Sequence, residues 1–104
     1  MKSQISSGKP KKPSRLIVRR VVGDSMLPTL KSGQIVVGLN GRRPKIGQLV
    51  IVRYKNREIV KRLTKIKDTK LYIIGDNTGS STDSNSFGWL AKKQLLATVI
   101  WPKK

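Results

Sequence analysis

The segment Gly23-Asp24-Ser25-Met26-Leu27-Pro28-Thr29-Leu30 sets a serine on a turn directly after an apolar run, and Lys61 follows inside a second apolar run. The 104 residues include no histidine and no cysteine. That removes Ser-His-Asp and Cys-His arrangements and the usual zinc ligand sets, so nucleophilic chemistry has to use a hydroxyl activated by lysine or by a carboxylate. A Ser25–Lys61 dyad is the pairing left open. A serine hydroxyl attacks poorly until a base takes its proton, and lysine is a base only as the neutral amine, far below its ordinary pKa of about 10.4. In Ile59-Val60-Lys61-Arg62-Leu63 a strand period of two puts Ile59, Lys61 and Leu63 on one face and Arg62 on the other. Apolar neighbours on that face would desolvate the ammonium and lower its pKa.

Positioning these groups requires a scaffold, and the pattern predicts a mainly β one. Short β-branched runs separated by turn residues predict about six strands, at Leu16 to Val22, Gln34 to Leu39, Gln48 to Tyr54, Glu58 to Lys65, Lys70 to Ile74 and Leu95 to Trp101. Asn40-Gly41, Lys55-Asn56 and Lys67-Asp68-Thr69 read as hairpin turns. Helical turns are expected only at Pro28 to Lys31, with Pro28 at a helix start, and at Ala91 to Leu95. Trp89 and Trp101 read as core or edge-covering aromatics. The polar stretch from Gly75 to Ser86 is longer than a hairpin loop needs, and loops of that length are often functional.

Residues Met1 to Ser14 carry four lysines and two prolines with almost nothing apolar, a composition that predicts a disordered basic tail ahead of one domain over residues 15–104. The chain has 23 Lys and Arg against five acids, a formal net charge of +18. Such a field favours anionic partners, and the tail is expected to make at most weak contact with an anionic membrane. No apolar run reaches the roughly 20 residues of a membrane span and none resembles a signal peptide, so a cytoplasmic or peripheral location is expected. With no cysteine, the sequence carries no information on redox compartment.

Three ordered segments together resemble the signal peptidase I family of Ser-Lys proteases, which shares its fold with the LexA-type self-cleaving repressors. They are the box at 23–30, the pair Gly47-Gln48-Leu49-Val50-Ile51-Val52 and Ile59-Val60-Lys61-Arg62-Leu63, and the loop Gly75-Asp76-Asn77 through Ser81, Asp83 and Ser84 to Phe87-Gly88. The resemblance implies coiled antiparallel sheets with a partly barrel-like core, and a serine endopeptidase that removes an N-terminal propeptide or signal segment after small residues. It implies Ser25 as nucleophile, Lys61 as general base, Ser81 as the hydroxyl that orients the lysine, and Asp83 as the group that holds the loop. Gly23 stands where some members carry a serine that helps the oxyanion hole, which leaves the Ser25 backbone N–H as donor. Met26 reads as a packing residue that also lines the substrate pocket. No cofactor and no metal are implied.

Against typical signal peptidases, no N-terminal anchor is expected here, the extra segment after the Lys-Arg pair is missing between Lys61 and Gly75, and Asn85 stands where an arginine is usual. A short chain ending in Phe87-Gly88 and Ile100-Trp101-Pro102 resembles the nickel-type superoxide dismutase maturation proteases, which free a nickel-binding N-terminus. Two other classes compete: a small basic β-barrel that binds nucleic acid, and a catalytically inactive peripheral membrane module. The charge favours the first, but single-strand binders stack bases on exposed aromatics, and only one Phe, two Tyr and two Trp are present.

Overall fold

The computed structural model describes residues 15–77, 79 and 83–104, so the expected basic tail (1–14) and Ser81 lie outside the described residues. Among the described residues seven strands form one antiparallel sheet: β1 (Arg15–Arg20), β2 (Ile35–Asn40), β3 (Leu49–Tyr54), β4 (Arg57–Lys67), β5 (Lys70–Ile74), β6 (Leu90–Ala91) and β7 (Leu95–Trp101). A short helix, α1 (Ser84–Phe87), precedes β6, and a 3-10 turn, Lys92–Gln94, leads into β7. The spatial order is β1-β2-β7-β3-β4-β5-β6, so the sheet is open, with β1 and β6 at its edges, and does not close into a barrel. The six predicted strands are all present; the seventh, β6, has two residues and no sequence period to reveal it.

The run Leu49-Val50-Ile51-Val52 explains why β3 sits near the centre. All four residues are buried, because the strand feeds both faces of the sheet. Leu49 and Ile51 pack with Val21, Met26, Leu30 and Val36 on one side. Val50 and Val52 pack with Leu63, Leu71, Ile73 and Leu90 on the other. Each such side chain contributes about 1.5–3 kcal/mol when fully buried. The catalytic candidates are therefore carried by the best-packed part of the molecule: Val50, in the core, is the cross-strand partner of Lys61.

Two turns behave as expected. Lys55 and Asn56 both take positive φ, 49° and 61°, and close the β3–β4 hairpin in the primed form that matches strand twist. Asp68, at φ 53°, helps to close β4 onto β5, where Lys67 faces Lys70. Asn40-Gly41 does not make a hairpin. β7 lies between β2 and β3, pairing with both, so the turn only leads the chain across the sheet. Pro28 does not start a helix either. The Leu27-Pro28 peptide is cis, and one helical turn, with the Leu30 N–H donating to the Met26 carbonyl at 2.9 Å, spans it. Trp89 and Trp101 are 38% and 56% exposed and belong to the surface, Trp89 meeting Tyr72 edge to face. No helix among the described residues is long and apolar enough to cross a membrane.

Candidate active site

Beyond β1, residues 21–23 stay tied to the β2 side of the chain, where the Val21 N–H donates to the Gln34 carbonyl at 2.8 Å and the Gly33 N–H to the Val21 carbonyl at 2.7 Å. The Gly23 N–H donates to Ser32 Oγ at 3.1 Å. Gly23 holds φ +90°, a conformation that L side chains rarely adopt, and this turns the chain so that Ser25 follows on a tight bend. Met26, directly after it, is 1% exposed and sits in the core, which fixes the bend from below. Met26 also borders the cleft that runs past this bend.

Opposite this bend lies β4. Its residues 62–67 pair with β5, and that ladder stops at Arg62. The result is a cleft of about 270 Å³ with Val22, Gly23 and Ser25 on one wall and Arg57, Ile59 and Lys61 on the other. Val22 is 86% exposed along the first wall. Lys61 is 3% exposed, between Ile59 and the fully buried Leu63 on its own face. Burial pushes its pKa below the ordinary lysine value; nearby Arg57 pushes the same way, and Asp83 opposes them. Ser25 and Lys61 thus open onto one cleft, 36 residues apart in the chain and brought together by the sheet.

Asp83 is 3% exposed and caps α1. Its carboxylate accepts the Asn85 N–H at 3.0 Å and the Gly75 N–H at 2.8 Å, joining the helix start to the end of β5. Ser84 Oγ adds a bond from the Ile73 N–H at 2.8 Å. Asn85, at the position where an arginine is usual, accepts a hydrogen bond from the Tyr72 hydroxyl at 2.9 Å. No described residue accepts from the Ser25 N–H.

Sequence reasoning missed the latch that holds the serine bend against the polar loop. Arg62, on the face opposite Lys61, forms a two-pronged ion pair with Asp76 at 2.9 and 2.8 Å and donates to the Gly47 carbonyl at 2.7 Å. Asp76 also accepts from the Thr29 hydroxyl, four residues beyond Ser25. The next residue completes it: the Asn77 N–H donates to the Ser25 carbonyl at 2.9 Å, and its side-chain amide to the Asp24 carbonyl at 3.0 Å. The available signal was Arg62 itself, a cation adjoining Lys61 with strand parity pointing it away from the cleft.

Arg62 holds the Asp76 carboxyl below the usual carboxylate range, helped by Thr29. A carboxyl lowered in the folded state stabilises the fold above its unfolded pKa, and that contribution is lost as pH falls through the folded value. Asp76→Asn is therefore expected to cost about 2 kcal/mol, the scale of a hydrogen bond to a charged group, and to lower turnover by loosening the Ser25 bend. Urea unfolding and peptide cleavage check this together; a variant with wild-type stability and wild-type turnover would show that the latch does not matter.

Residues 2–91 match the family model described as Peptidase S24-like. Comparison with curated proteins gives no match. The match covers most of the chain and both cleft walls, and the mainly β open sheet agrees with it. The chain belongs to the Peptidase S24-like family, in the LexA and signal peptidase-like superfamily, and is a peptidase.

Proposed function

We propose that the protein is a Ser25–Lys61 endopeptidase of the signal peptidase I type that removes an N-terminal segment from a protein substrate, in the manner of a maturation protease. The observation that carries this reading is the cleft itself: a serine on a tight bend and a buried lysine with a lowered pKa line one channel between the segment at 21–23 and the start of β4. An extended peptide entering that channel gains main-chain hydrogen bonds from the edge at 57–61 and from the segment at 21–23, while side pockets select residues. Neutral Lys61 Nζ takes the Ser25 Oγ proton as Oγ attacks the scissile carbonyl. The oxyanion meets the Ser25 N–H, and the resulting ammonium returns its proton to the leaving amine. Water then repeats the cycle on the acyl-enzyme. Asp83 and Ser81 are assigned to hold and orient the lysine side of the site.

Exposure of a proteome-derived peptide library to the protein, with new N-termini read by mass spectrometry, tests this reading. Cleavage after small residues that disappears in Ser25→Ala is expected. A library left intact while the chain cuts a bond of its own would replace the intermolecular reading with self-cleavage.

A further inference from the structure

The cleft wall formed by β4 carries more than the lysine. Arg57, Ile59 and Lys61 alternate along one face, and their cross-strand partners Tyr54, Val52 and Val50 belong to that same face. Glu58 lies on the other face, where it pairs with Arg53 at 3.4 Å and reaches across to Arg19. Its charge is thereby committed to two guanidinium groups. Asp24 is the other carboxylate lining the cleft, and it pairs with no cation among the described residues. Arg20 donates to the Gly33 carbonyl at 3.0 Å. Arg57 is exposed and lines the cleft, and its guanidinium forms no hydrogen bond or ion pair with any described residue.

We infer that Arg57 selects substrates with an acidic side chain about four residues from the scissile bond. The inference rests on the Ser25–Lys61 reading. A strand rises about 3.3 Å per residue, so Arg57 and Lys61 stand roughly 13 Å apart along the edge. A substrate strand laid on that edge places one residue opposite Lys61, at the reacting bond. The residue four positions away falls opposite Arg57, with its side chain on the same face because four is an even number. A guanidinium with no partner among the described residues offers that residue two parallel N–H donors, which a carboxylate accepts in planar fashion and an amide or ammonium does not.

The test takes one cleaved peptide as parent and substitutes Glu, Gln or Lys singly at each of the five positions on either side of the cut bond, measuring kcat/KM with wild type, Arg57→Gln and Arg57→Glu. Loss of Arg57 also relieves pressure on the Lys61 ammonium, so all rates shift together and the Glu-to-Gln ratio is the readout. Wild type is expected to prefer Glu by about fivefold at one position about four residues from the bond, the upper end for an exposed ion pair. Arg57→Gln erases that ratio, and Arg57→Glu transfers the preference to Lys at the same position. A uniform gain from Glu at every position that survives in Arg57→Gln reports only the net charge and overturns the assignment. So does Ser25-dependent cleavage with no acidic preference, which leaves the peptidase reading standing. Absence of any Ser25-dependent cleavage removes both.

Discussion

Lys61→Arg is expected to lower kcat/KM by about 10²–10⁴-fold, the range for losing a general base, and Ser25→Ala to leave no cleavage above background. Arginine keeps the charge and most of the length, but its guanidinium does not give up a proton at any working pH. The informative companion is Lys61→Met. The lysine is buried beside Ile59 and Leu63, and burial disfavours its charged form. Methionine fills a similar volume with no ammonium to desolvate, so Lys61→Met should be inactive yet folded near neutral pH. An inactive, folded variant separates chemistry from folding. Cleavage by Lys61→Met at a rate near wild type would remove lysine from the mechanism.

The second large effect is on pH. Only neutral Lys61 is a base, so kcat/KM is expected to rise about tenfold per pH unit below the Lys61 pKa and then level off. The plateau should begin below the ordinary lysine range, because burial and Arg57 lower the pKa against the opposing pull of Asp83. It should not follow a histidine, since the chain has none. Stability moves in the same direction. Between the folded and unfolded pKa values the unfolded chain binds more protons at this site, so stability rises with pH across that window, and Lys61→Met should flatten the rise. A rate that stays level from pH 6 to 9 with chemistry limiting would contradict the dyad.

Much of this arrangement was legible before any coordinates. Strand parity in 59–63 put Lys61 and Arg62 on opposite faces, and the structure buries the first and ion-pairs the second. The strand expected from Gln48 to Tyr54 is present as β3. Strand order was not legible, because hairpin chemistry at Asn40-Gly41 reports only a local reversal and carries no trace of β7 arriving from 55 residues later to separate β2 from β3. At Pro28 the fixed φ suits a helix start, but nothing local in the sequence reports that the preceding peptide is cis. The Arg62–Asp76–Thr29 latch joins three separate segments, and polar partners so far apart leave no period to read. Ser81, assigned from family resemblance, lies outside the described residues.

The central claim is that Ser25 attacks because Lys61 deprotonates it, and the most direct measurement is the rate of adduct formation with a serine-reactive phosphonate, mapped by mass spectrometry as a function of pH. The account predicts one adduct, on Ser25, forming faster as pH rises toward the lowered Lys61 pKa and slowing by orders of magnitude in Lys61→Met. An adduct on another residue, or labelling of Ser25 at the same rate with and without Lys61, would contradict it.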